Sequence, residues 1–329
     1  MAQGVEEVLV AADAAELDLT NAHLRNLDDV PLPESLSLLD LTANRLTELD
    51  SRLLKLPGLK QLLLRQNLLT DMSPIVHMAS AAGLEEIVLY DNSISQLPDL
   101  SPLACLKKLD LSINQLRSME NLSTLQASQL KEVYITSNKV STIEGLNKMS
   151  QLELLELGDN RISQIDSLNK LQHLRELWLG RNRIASISGL SSLKMLQRLS
   201  LQSNRLTSMA GLAACTGLQE LYLSHNGISQ LEDISSMPEL QILDVSNNQL
   251  STVLGLSKLQ KLQDLWLNNN QILELDTLNA ELDGCRSTLT CVYLTCNPAT
   301  RNNPLYKQRM MQWLPNLQQL DADYVRGAP

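Results

Sequence analysis

The pattern L-x-L-x-x-N-x-L, with aliphatic residues standing for L, constrains this chain more than any other feature. Its asparagine falls at positions 44, 67, 92, 114, 138, 160, 182, 204, 226, 248, 270 and 297. Successive asparagines stand 23, 25, 22 and 24 residues apart, then six times 22, then 27. Self-similarity at so short a period means one supersecondary unit stacked on copies of itself, because a unit that small cannot bury its apolar face alone.

One period shows the local physics. After Asn160 come Ile162, Ile165, Leu168, Leu171, Leu174, Leu177 and Leu179, then Asn182. The apolar steps are threes, closed by a single step of two. A period of two belongs to a strand, so Leu177-Trp178-Leu179 is expected to be one, with both leucines inward. A period of three fits a 3₁₀-like or extended return better than an α-helix. The asparagine sits where the chain leaves the strand, and its amide can donate and accept, so stacked copies can satisfy turn backbone groups. The fold class expected is an α/β solenoid. It is a leucine-rich-repeat horseshoe of 22-residue repeats, with a parallel concave sheet, a 3₁₀ or extended convex side, and terminal caps.

The ends depart from the period. Leu17-Asp18-Leu19 opens an irregular repeat with Ala22 in the asparagine's place. Beyond Asn297, Tyr306, Met310, Trp313 and Leu314 fall on one face of a short helix, and Leu317 and Leu320 on a further strand-like edge. The longer spacings, Asn67 to Asn92 and Asn270 to Asn297, hold convex-side insertions, the second with a helix across Leu278–Leu282. The expected organisation is an N-terminal segment and capping repeat over 1–36, repeats over 37–297, and a C-terminal cap over 298–329.

Composition narrows the function. Phenylalanine is absent and the formal charge is −10. Nucleic-acid backbones and anionic membranes both call for clustered Lys and Arg, so neither is an expected partner. The five cysteines are odd in number and form no flanking clusters, and the N-terminal stretch lacks a basic n-region, so a secreted, disulfide-capped protein is not expected. Cys285, Cys291 and Cys296 lack a C-x₂-C pair, which leaves them as ordinary thiols and no metal or cofactor as the expectation. The four histidines occupy unrelated repeat positions and no phosphate-binding glycine loop is present, so no catalytic constellation can be assembled.

In each strand the residues six, four and two before the asparagine point out of the core. The middle position reads Asp40, Leu63, Val88, Asp110, Tyr134, Glu156, Trp178, Ser200, Tyr222, Asp244, Trp266 and Tyr293. Five of the chain's nine Trp and Tyr residues stand on this one line, with four acids among them. The neighbouring line adds Glu86, Glu132, Glu176, Glu220 and Asp264, interrupted by Lys108 and Arg198. Exposed aromatics in a contiguous patch mark protein interfaces, where they act as anchors, so the concave face is expected to bind another protein.

The runs LSLQSNRL and LYLSHNGI, LRELWLGRNRI, and the cap TCVYLTCNPATRNNPLYKQRMMQWLPNLQQLDADYV go beyond a generic repeat. They resemble the leucine-rich-repeat regulatory subunits of protein phosphatase 1, the regulatory subunit 7 family, over nearly the whole chain. The resemblance implies a non-enzymatic, monomeric protein of nucleus and cytoplasm that binds the phosphatase catalytic subunit, with room for a further inhibitor subunit. It also implies roles in phosphatase maturation and the cell cycle. By the same resemblance the docking surface comprises Asp110, Tyr134, Glu156, Trp178, Asp244, Asp264, Trp266 and Tyr293. The family often carries Phe at the positions of Tyr134 and Trp178 and Glu at that of Asp264. With no Phe in the chain and no Trp in the right context, a short linear docking motif is excluded. The rival reading is a leucine-rich-repeat adaptor of another complex, axonemal or splicing.

Overall fold

In the computed structural model each asparagine of the pattern ties one coil to the one before it. Asn67 is typical: its Oδ1 accepts from the Leu46 N–H at 3.0 Å, while its Nδ2 donates to Leu41 O at 2.9 Å and Arg65 O at 3.1 Å. The same three-way bridge is made by Asn114, Asn138, Asn160, Asn248 and Asn270. A residue type that both donates and accepts is needed there, because the turn leaves both kinds of backbone group without a strand partner.

The structure describes residues 11–301 and 303–325. The first ten residues of the expected N-terminal segment, Asn302 and the last four residues of the cap lie outside it. The coils form two compact units, Met1–Asn160 and Arg161–Pro329.

The first unit carries seven strands: β1 Glu16–Asp18, β2 Leu38–Asp40, β3 Gln61–Leu63, β4 Glu86–Val88, β5 Lys108–Asp110, β6 Glu132–Tyr134 and β7 Leu154–Glu156. Each pairs in parallel with the next, equivalent residues opposite each other, as in Lys108 with Glu132 and Asp110 with Tyr134. The returns are 3₁₀ turns at Ser51–Lys55, Ser73–His77, Ala81–Gly83 and Glu120–Thr124, or extended. The irregular first repeat is present as β1, and at Ala22 the turn closes with a backbone bond to Leu19 O.

The second unit continues with β8 Glu176–Trp178, β9 Arg198–Ser200, β10 Glu220–Tyr222, β11 Ile242–Asp244, β12 Asp264–Trp266 and β13 Cys291–Tyr293, again parallel and in register. The insertion after Asn270 folds as helix α1, Leu275–Glu281, running into a 3₁₀ turn at Leu282–Cys285. This helix starts earlier than the Leu278–Leu282 expected. Its buried residues are Leu275, Leu278 and, at the turn, Leu282, and Glu274 before it provides no side-chain cap that would have marked the start.

The cap holds α2 (Pro298–Arg301), α3 (Tyr306–Trp313) and a last pair of strands, β14 Gln319–Leu320 and β15 Asp323–Tyr324. β14 extends the parallel sheet from β13, and β15 folds back antiparallel on β14. Met310 of α3 is fully buried, as are Leu314, Leu317 and Leu320 after it, while Tyr306 and Trp313 of the expected helix face are only half-buried. Tyr306 Oη donates to Asp321, whose Oδ1 accepts from the N–H groups of Leu294 and Thr295 at 2.7 and 2.8 Å. At this edge the Asp321 side chain thus accepts from the N–H of Leu294, whose counterpart in the coil before, at Leu267, goes to a backbone carbonyl.

The strands are displaced one residue toward the N-terminus from the expected position. Glu176–Trp178 is the strand, and Leu179 follows it, with its N–H still bonded to Ser200 O at 2.8 Å. Leu177 and Leu179 are both buried, so the inward pair is as expected.

Candidate docking surface

The outward residues of the strands bear the candidate surface, and each unit carries part of it. In the first unit Asp110, Tyr134 and Glu156 lie side by side at the ends of β5, β6 and β7, all half-buried. Tyr134 Oη donates to Glu132 Oε2 at 3.0 Å, and Lys108 Nζ lies 5.9 Å from the centre of the Tyr134 ring. Lys108 also pairs with Glu86 at 3.1 Å. Burial, then the Glu132 carboxylate, push the Tyr134 phenol well above its ordinary value. The phenol therefore stays neutral and keeps its proton on the bond to Glu132.

Asp110 has a second task. Its Oδ1 accepts from the Ser112 N–H at 2.9 Å, and Asp18, Asp40 and Asp244 make the same bond to the residue two further on. An aspartate at a strand end has the reach to satisfy that N–H, as in an Asx turn. The sequence reading took these acids as free surface charge and missed this local role.

In the second unit, Trp178 on β8 and Tyr222 on β10 stand two strands apart, a separation of about 9.6 Å at the usual strand spacing. Their ring centres are only 6.0 Å apart and the planes 24° from parallel. The rings therefore lean together over Ser200, which is only 2% exposed beneath them. Glu176 Oε2 accepts from Trp178 Nε1 at 3.2 Å, and Glu220 Oε2 accepts from Tyr222 Oη at 3.0 Å. The other oxygens of both carboxylates take Arg198, at 2.6 Å and 2.8 Å. Burial and the Glu220 bond push the Tyr222 phenol up to about 12. Tyr222 was read on the aromatic line but not among the docking residues, and Arg198 only as an interruption of the acidic line.

Further along, Trp266 meets Tyr293 edge to face, centres 5.9 Å apart at 75°, a favoured aromatic geometry. The Trp266 Nε1 is buried, and its interaction with the Cys291 thiol offsets part of the upward push that burial gives that group. Asp264 stands in register with Cys291, and burial raises its carboxyl above the ordinary value against an opposing bond from Thr290. Burial pushes the Cys291 thiol up to about 11, with the Asp264 charge adding to it. Asp244 lies between Tyr222 and Trp266 on the neighbouring strands and is only 5% exposed. Its Oδ1 accepts from both Ser246 N–H, at 3.0 Å, and Ser246 Oγ, at 2.7 Å. Of the eight sequence-derived candidates, seven are accessible on the outward face and Asp244 is nearly covered.

Among the described residues no group of three or more His, Cys, Asp or Glu side chains is arranged to hold a metal ion. No described helix is long and apolar enough to cross a membrane.

The parallel, in-register coils with their asparagine bridges give this chain the fold of a leucine-rich-repeat solenoid. The family model "Leucine Rich repeats (2 copies)" matches it at residues 150–192, 194–236 and 238–280. A solved internalin from Listeria monocytogenes shares the fold at a TM-score of 0.82 and 25% identity, over 95% of this chain and 87% of that one. More particularly, the chain is similar to phosphatase regulatory subunits, as its sequence predicts. It is 46% identical over 129 residues to a protein phosphatase 1 regulatory inhibitor subunit PPP1R7 homolog of Arabidopsis thaliana, covering 39% of each chain. It is 36% identical over 96 residues to the protein phosphatase 1 regulatory subunit SDS22 of Saccharomyces cerevisiae, covering 29% of this chain and 28% of that one. The matched stretches thus span well under half the length of either relative.

Proposed function

We propose that this chain is a non-enzymatic regulatory subunit that binds the catalytic subunit of protein phosphatase 1 through the outward face of its strands, controlling its activity, maturation or localisation in nucleus and cytoplasm. The observation that carries this reading is the recurrence of accessible aromatics at one strand position, Tyr134, Trp178, Tyr222, Trp266 and Tyr293, each beside a carboxylate or another ring. The similarity to two phosphatase regulatory subunits supports the choice of partner. Aromatic anchors in such a setting carry affinity, and truncating a central one costs about 2 kcal/mol or more. The acids Asp110, Glu156 and Asp264 and the net charge of −10 steer a basic partner face, chiefly through association rate and specificity. No step of this function needs a catalytic group or cofactor on this chain.

Calorimetric titration of the purified phosphatase catalytic subunit, with and without its active-site metals, into this protein tests the reading. Binding is expected, and a preference for the metal-poor form would mark a role in maturation. No heat with either form would hand the function to the adaptor reading.

A further inference from the structure

Five side chains on three successive strands of the second unit close into a ring. Trp178 donates to Glu176, Glu176 accepts Arg198, Arg198 donates to Glu220, Glu220 accepts Tyr222, and the Tyr222 ring stacks back on Trp178. Each carboxylate uses one oxygen for the guanidinium and the other for an aromatic donor. The planar fork of arginine suits this task, because two of its N–H groups point at different acceptors in fixed directions. Glu176 and Glu220 were read as part of an acidic surface, yet their charge is largely spent on Arg198.

We infer that Arg198 is a positioning residue for partner docking: through Glu176 and Glu220 it holds the Trp178 and Tyr222 rings as one rigid platform over Ser200. The inference rests on the proposed docking reading and deepens it. Nothing in the ring requires Arg198 to touch a partner. What it supplies is preorganisation, since two rings already ordered before docking lose less freedom when they are covered. The first unit has only the beginning of such a device. Lys108 pairs with Glu86 and lies over the Tyr134 ring, but within this unit the outward position two strands away is Val88, which offers no ring to stack on. A platform of two rings with spent charges fits a flat apolar side chain of the partner, while Tyr134, flanked by the Asp110 and Glu156 carboxylates, fits a basic one.

The test is a double-mutant cycle read by calorimetry against the phosphatase catalytic subunit, using Arg198→Met, Trp178→Ala and the pair. Methionine keeps the stem of the side chain and removes the fork. Arg198→Met is expected to weaken binding about tenfold, equivalent to about 1.4 kcal/mol. Its effect should be clearly smaller once Trp178 is alanine, because only the Tyr222 ring is then left for Arg198 to hold. Wild-type affinity in Arg198→Met overturns the inference, and so does an equal loss in both backgrounds, which would make Arg198 a direct contact. Should wild type itself fail to bind, the partner reading has failed, and the platform is judged without it. Fluorotryptophan NMR should then show the Trp178 signal shifted and broadened by Arg198→Met with the Trp313 signal unmoved, and an unmoved Trp178 signal overturns the inference. If Arg198→Met does not fold, Glu176→Gln/Glu220→Gln takes its place in the same measurements with the same expected results.

Discussion

Replacing Asn138 by alanine isolates what the asparagine bridge contributes. Its Oδ1 accepts from Leu116 N–H at 2.9 Å, and its Nδ2 donates to Leu111 O at 2.9 Å, Thr136 O at 3.1 Å and Ile135 O at 3.3 Å. The carbonyls each keep another donor: Leu111 O retains Asn114, Ile135 O retains Asn160, and Thr136 O retains the Ile113 N–H. Leu116 N–H keeps none, so one buried donor is orphaned at about 1–3 kcal/mol, with about 1 kcal/mol more for the weakened donor side. The expected loss is about 3 kcal/mol in equilibrium urea unfolding. Asn226 makes the same bonds, with Leu206 N–H at 3.0 Å, but is only half-buried, so water can replace its oxygen and Asn226→Ala should cost about 1 kcal/mol. Equal costs at the two positions, or a loss below about 1 kcal/mol at Asn138, would refute this reasoning.

Alkylation with iodoacetamide at pH 8, followed by mass spectrometry, should label the exposed Cys105 and Cys296 first. Cys215, Cys285 and Cys291 should lag, since burial raises all three thiols, Cys285 to about 12 and Cys291 to about 11. Asp264 carries a carboxyl raised by burial, so the folded state holds its proton to higher pH than the unfolded state does. Its contribution to stability is therefore favourable below the ordinary carboxyl range and is lost as pH rises from there through the raised value. Urea midpoints from pH 4 to 7 should fall less steeply in Asp264→Asn than in wild type, and an unchanged slope would be evidence against it. Finally, a Cβ on Gly284 would lie 1.9 Å from Ser257 O, so Gly284→Ala should destabilise the insertion by about 1–3 kcal/mol, read as faster amide exchange in α1.

The coil was legible because its signals are local and repeated: the asparagine at a turn, an inward pair such as Leu177 and Leu179, and returns in steps of three. Side-chain parity along the strands was legible for the same reason. Depth was not. Asp244, Ser200 and Val88 all stand on the outward line, yet they are 5%, 2% and 0% exposed. What covers Asp244 and Ser200 is the size of the residues one coil away, Tyr222 with Trp266 in one case and Trp178 with Tyr222 in the other. The role of Arg198 was hidden too, because its partners stand 22 residues away on either side and the closure depends on which rotamers lean together. A cue was available in hindsight. A lone cation interrupting an acidic line has carboxylates opposite it on both neighbouring strands, and opposite charges there attract.

The central claim, docking on the outward strand face, is tested most directly by comparing two double variants in one titration of the phosphatase catalytic subunit. Trp178→Ala/Trp266→Ala removes two anchors from the strands. Leu254→Ser/Leu273→Ser changes two leucines that lie outside the strands and are 59% and 64% exposed. The expected result is binding weakened at least thirtyfold, about 2 kcal/mol, in the tryptophan variant and unchanged in the leucine variant. Equal loss in both, or loss in the leucine variant alone, would contradict the claim.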